Sequence, residues 1–144
     1  MNANLHDQDF YAWTQQQLEI MRLGDLSKVD LENWMDEIES MGASERRELE
    51  SRIIVLLQHL LKWQFQPNQR SGGWLGTIDE QRTQLEILLR QSPSLKRLYP
   101  ESVVLAYPKA RRKAAWETGA TLQSLPESCP YSLNEILDEE FLPD

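Results

Sequence analysis

Five consecutive apolar residues, Ile53-Ile54-Val55-Leu56-Leu57, lie inside a stretch from Ala43 to Gln66 that contains no proline. At helical spacing Leu49, Ile53, Leu56, Leu60 and Trp63 form one stripe. Ile54, Leu57, Leu61 and Phe65 cover a second side, which leaves Ser51, Gln58 and Lys62 as the polar remainder. A helix apolar around most of its circumference must be surrounded by other helices. The chain is therefore predicted to be all-α, a bundle of about five to seven helices around a buried central helix at about 43–66.

A length of 144 residues fits one domain, 1–144, with room for a core that needs neither disulfides nor a structural metal. The single Cys129 has no internal partner, which is compatible with a reducing compartment. No apolar run approaches 18 residues and the opening MNANLHDQD is not a basic-then-apolar leader, so a soluble cytoplasmic protein without a membrane partner is expected.

The net charge of −8 argues against a general nucleic-acid coat, which must neutralise many phosphates, but leaves room for a local basic site. Charge is also unevenly spread. Residues 1–66 carry twelve carboxylates against six bases, residues 67–124 carry nine bases against five carboxylates, and residues 125–144 carry six carboxylates and no base. Either the acidic segment 125–144 docks on the basic middle, or the middle block holds a partner site.

Along the chain, Asp7 or Asp9 can cap a first helix with Phe10, Trp13, Ile20 and Met21 on one face and Gly24 as its stop. A second helix after Asp30 is expected to bury Leu31, Trp34, Met35 and Ile38 and to end near Gly42, with Ser44 capping the central helix and Pro67 closing it. The glycine-rich stretch Arg70 to Gly76 reads as a flexible connection. Thr77 and Glu80 have capping-box spacing for a helix with Ile78, Leu85, Leu88 and Leu89 inward that ends before Pro93. A short turn over Leu95 and Leu98 follows. Pro100 suits the first turn of the next helix, which runs to about Gly119 and should kink or break at Pro108. Ser132 and Glu135 form a last capping box ahead of Ile136 and Leu137.

Several segments taken together resemble a known family. They are Asp9-Phe10-Tyr11-Ala12-Trp13-Thr14, Leu31-Glu32-Asn33 with Glu37-Ile38-Glu39-Ser40-Met41-Gly42, and Arg70 with Trp74 before Thr77-Ile78. Gln91-Ser92-Pro93-Ser94-Leu95, the Tyr107 to Gly119 helix, and Cys129-Pro130-Tyr131 with Phe141-Leu142-Pro143 extend the likeness over nearly the whole chain. The chain resembles the bacterial family catalogued as domain of unknown function 29. The resemblance implies one all-helical domain of photosynthetic and related bacteria, and it supplies no catalytic residues.

Chemistry-bearing motifs are sparse. His59 has Leu56 and Lys62 three residues away and Val55 and Trp63 four away, so no Glu-x-x-His or His-x-x-x-His ligand pair exists on that helix, and His6 is equally isolated. His59 reads as a hydrogen-bonded core histidine. Cys129, beside Pro130, has no neighbouring base or cation to depress its pKa and reads as a packing residue. Gly72-Gly73-x-x-Gly76 lacks the lysine and hydroxyl of a phosphate loop. No metal, cofactor or catalytic group is assigned.

Three surfaces remain. Lys109, Arg112, Lys113 and Trp116 fall opposite Val103, Tyr107, Ala110 and Ala114, so cations and an indole point outward while the apolar side packs; alternatively Asp138, Glu139, Glu140 and Asp144 cover them. Glu32, Asp36 and Glu39 line one side of the second helix, either as a solvated face or as a dock for a basic partner. Trp13, Trp34 and Trp63 fall on apolar stripes and are expected in the core, leaving Trp74, next to Arg70, and Trp116 as interface candidates. The favoured reading is a non-enzymatic module that binds another protein, a second copy of itself included. The alternatives are a local nucleic-acid site on the basic helix 109–116 and an enzyme assembled from distant helices, which would need His59 and two carboxylates to converge.

Overall fold

Thirty-five residues, Leu31–Phe65, form one uninterrupted helix in the computed structural model of the chain, which describes residues 5–144. The first four residues of the MNANLHDQD opening, on which part of the no-leader expectation rests, lie outside that range. The helices are α1 (Leu5–Gln8), α2 (Phe10–Arg22), α3 (Leu31–Phe65), α4 (Gly72–Gln91), α5 (Tyr99–Thr118) and α6 (Leu133–Leu137). Short 3-10 turns at Leu26–Lys28, Pro67–Gln69, Pro93–Arg97 and Leu122–Ser124 join them, and no strand occurs among the described residues. The fold is an all-α bundle with a long central helix, as the apolar run predicts. Contacts divide it into two compact units, Met1–Ser44 and Glu45–Asp144.

In the first unit the Asp9 carboxylate caps α2 by accepting from the Ala12 amide at 3.0 Å. Gly24 adopts a left-handed φ of 77° just beyond the helix, a conformation that costs glycine nothing. Trp13 is the fully buried anchor of this unit. Its indole N–H donates to Asp30 Oδ2 at 2.9 Å, Asn33 donates to the same oxygen at 2.7 Å, and Gln17 Oε1 accepts from the Asp30 amide at 2.9 Å and from the Trp34 indole at 3.2 Å. The Asn33 and Trp13 bonds to the charged form hold the Asp30 carboxyl below its ordinary pKa, outweighing the opposing effect of burial.

The second unit holds the main core. Leu49, Ile53, Leu56, Leu57, Leu60 and Leu61 of α3 are completely buried against Ile78, Leu85 and Leu88 of α4, the Val103, Ala106, Ala110 and Ala114 side of α5, and Leu125, Tyr131 and Ile136 of the C-terminal segment. Three tyrosine hydroxyls tie this segment down: Tyr99 donates to Leu133 O at 2.7 Å, Tyr107 to Pro126 O at 2.6 Å and Tyr131 to Gln64 Oε1 at 2.9 Å. The Ser132–Glu135 capping box forms as expected, and Pro100 occupies the first turn of α5.

Several local expectations are corrected. Gly42 and Ser44 lie inside α3 rather than separating two helices, because a glycine in a helix interior costs only about 1 kcal/mol and Gly42 keeps a negative φ. Leu31, Met35 and Ile38, expected to be buried, are 65%, 61% and 59% exposed. Phe10 and Met21 are likewise exposed, and Trp34 and Trp63 are half-buried rather than core. The Arg70 to Gly76 stretch is no flexible turn: Ser71 caps α4 through the Trp74 amide at 3.3 Å, so the three glycines are helical and Thr77 sits in the second turn instead of at the cap. Pro108 neither ends nor breaks α5. Pro108 and Val104 both face solvent, where water can satisfy the one carbonyl that loses its helical partner.

Candidate functional site

Helix α5 separates its faces as its spacing requires. Val103, Tyr107, Ala110 and Ala114 are buried, and Lys109, Arg112, Lys113 and Trp116 are exposed, Trp116 to 72%. The Arg112 guanidinium lies over the Trp116 ring, 5.3 Å from its centroid. Val104 and Leu105 extend the same exposed surface with apolar side chains. Lys109 donates to Glu50 at 2.8 Å, whereas Arg112 and Lys113 form no ion pair among the described residues. Arg111 is turned away to the Leu122 and Leu125 carbonyls.

The acidic tail does not cover this surface. Asp144 accepts from Arg70 through its backbone oxygen at 2.9 Å, and Asp138, Glu139 and Glu140 line an open groove of about 900 Å³ facing Arg90 and Lys96. Arg82, absent from the sequence candidates, fastens the segment together with the three tyrosine hydroxyls. Its residue is 4% exposed, and the guanidinium donates from Nε to Ile136 O (2.9 Å), from Nη1 to Phe141 O (2.8 Å) and from Nη2 to Glu135 O (3.2 Å). Burial lowers its pKa from the usual arginine value, opposed by Asp138, Asp79 and Glu139. Arg82 lies between Ile78 and Leu85 on the inward stripe of α4. A lone cation at an apolar position was the signal available in the sequence.

The secondary candidates are placed differently from one another. Arg70 stacks on Trp63 at 4.7 Å and donates to Trp63 O at 2.8 Å. Trp74 is half-buried, with the Lys62 ammonium 4.9 Å from its ring. Lys62 is itself buried and paired with Glu117 at 3.1 Å, and Gln58 donates to the same carboxylate oxygen. Glu32, Asp36 and Glu39 are exposed and form no ion pair among the described residues, whereas Glu37 turns inward.

The histidines have separate environments. His59 Nδ1 pairs with Val55 O at 2.8 Å, and burial lowers its pKa, with Lys62 adding to the effect and Glu117 opposing it. His6 is not isolated: its ring bonds Asp7 at 2.9 Å and Glu37, and its edge meets Trp13 at 4.7 Å. These carboxylates, Asp7 first, raise its pKa. Cys129 is half-buried, burial pushes its thiol pKa up, and its sulfur lies 3.6 Å from Tyr131 O. No cluster of three metal-ligating side chains occurs among the described residues, and no helix there is long and apolar enough to cross a membrane.

Together, the fold and these surfaces define an all-α protein whose exposed features are mixed charged and apolar helix faces. The model of the domain of unknown function DUF29 matches residues 5–142, and the chain belongs to that family. No curated protein and no solved structure matches the chain.

Proposed function

We propose that the chain is a non-enzymatic module that binds another protein through the outward face of α5. The observation carrying this reading is Trp116, 72% exposed and stacked under Arg112. An indole left in water beside a guanidinium contributes binding energy only once a partner desolvates it, and tryptophan and arginine are the side chains most often found as interface anchors. The neighbours favour protein over nucleic acid. A phosphate-binding surface draws affinity from many cations, whereas on this face Lys109 is paired with Glu50, only Arg112 and Lys113 lack an ion pair among the described residues, and Val104 and Leu105 add exposed apolar surface. A cytoplasmic setting accords with the one free thiol.

The test is affinity capture from native extract with the wild type and with the Arg112→Ala, Lys113→Ala, Trp116→Ala variant. A protein held by the wild type, resistant to nuclease and lost with the variant is the expected result. Capture that disappears on nuclease treatment and falls steeply with salt assigns the face to nucleic acid instead. Equal capture by both removes α5 as the surface.

A further inference from the structure

The first unit carries a surface opposite in charge to α5. Leu31, Met35 and Ile38 stand at helical spacing on α3, each more than half exposed. Glu32, Asp36 and Glu39 run beside them without an ion pair among the described residues. Gly42 continues the row one turn further with nothing within 4 Å of where a Cβ would be. The surrounding sequence deepens the charge, since residues 1–44 hold nine carboxylates against Arg22 and Lys28. An apolar row with an acidic rim fits an apolar row with a basic rim. On α5, Leu105, Lys109, Arg112 and Trp116 form one exposed row, apolar at its two ends and cationic between them, with Lys113 beside it. Both rows cover eleven helical steps, about 16 Å at 1.5 Å per residue.

We infer that this acidic apolar face of α3 receives the basic apolar face of α5 from a second copy of the chain. The inference rests on the reading of α5 as a protein-binding face and names one occupant for it. Opposite charges at the rim select the pairing and exclude α3 against α3, where Asp36 and Glu39 would meet their own kind. A contact of this length is small beside the roughly 800 Å² per partner of standard interfaces, so association is weak and concentration-dependent. Two reciprocal contacts close a dimer and a single one grows chains, depending on whether the rotation closes.

The experiment is sedimentation of the purified full chain over a concentration series at low salt. One variant reverses the α3 rim (Asp36→Lys, Glu39→Lys, with Glu32 kept because it suits the helix start) and another reverses the α5 rim (Arg112→Glu, Lys113→Glu). Wild-type chain should self-associate, and each reversal should weaken this by at least roughly tenfold. An equimolar mixture of the two variants should associate again, because each supplies the native face the other has lost. Should the rim variant of α3 lose helicity, Met35→Gln with Ile38→Gln must give the same loss. A wild type that stays monomeric over the series overturns the inference while leaving extract capture by α5 intact. Association lost on reversing α5 but retained on reversing α3 also overturns it, since α5 then meets another surface. Association indifferent to both removes the inference and the α5 reading together.

Discussion

Arg82 offers the sharpest test of how the C-terminal segment is held. Replacing it with methionine keeps most of the buried stem and removes the guanidinium. Three charge-assisted bonds disappear, each contributing about 1.5–3 kcal/mol. Two effects oppose their simple sum. The variant avoids desolvating a cation, a penalty of several kcal/mol in the wild type. Water can also reach the carbonyls of Glu135 and Phe141, whose bonds to Arg82 are only part-buried. The Ile136 bond is fully buried, so its carbonyl is left without a partner at a cost of about 1–3 kcal/mol. The balance is a loss of about 3 kcal/mol, since the lost bonds and the orphaned Ile136 carbonyl outweigh the desolvation that the variant avoids. Arg82→Lys keeps the charge but replaces a planar fork by one ammonium that cannot span all three carbonyls, so it should recover only part of the loss. Urea unfolding reads the stability, and hydrogen exchange at residues 131–141 reads whether the segment detaches first. A Met variant within about 1 kcal/mol of wild type, with exchange in that segment unchanged, would refute the assignment of Arg82 as a fastener.

The other expected outcomes concern the core, the α5 face and His6. Leu56→Ala removes a side chain with no exposed surface and should cost about 2–5 kcal/mol; an unchanged denaturation midpoint would place α3 outside the core. The Arg112→Ala, Lys113→Ala, Trp116→Ala variant should keep its melting temperature, because exposed substitutions usually fall within about 0.5 kcal/mol each, and unfolding would mean the face is structural. His6 has its folded pKa raised above 6.5 by Asp7 and Glu37. Its stabilising contribution is therefore fully present below the unfolded value near 6.5 and lost as pH rises through the folded value. Protection factors of the α2 amides, which divide out the base-catalysed intrinsic exchange rate, should fall as pH rises through the folded value, and His6→Ala should abolish that fall.

What the sequence disclosed followed from burial on most sides of one helix. The residues from Leu49 to Leu61 have only one environment that suits them, and that environment required every other helix of the main core. Capping at Asp9 and Ser132 was legible for a similar reason, since each side chain bonds its own following turn. Arg82 and Gln17 were missed because an inward polar side chain is stable only if a distant carbonyl or amide meets it, and the partner segment lies 53 or more residues away for Arg82. His6 failed likewise, its second partner Glu37 being 31 residues distant.

The exposed stripe on α3 shows where periodicity stops informing. Leu31, Met35 and Ile38 have the same helical spacing as Leu49, Ile53, Leu56 and Leu60, and spacing alone assigns both sets to a core. Helices α4 and α5 and the C-terminal segment cover the later set, while the earlier one is left to water. Helical periodicity reports that a face is apolar, and whether the cover comes from the same chain is a tertiary fact. Three large apolar side chains in one row, each more than half exposed, are a cost to a free monomer that solvation of the nearby carboxylates offsets without removing. The row becomes intelligible if its cover is another molecule. That makes Ile38→Gln informative in either direction: it should leave the folded monomer as stable as before, because nothing there is lost from a core, and diminish only association.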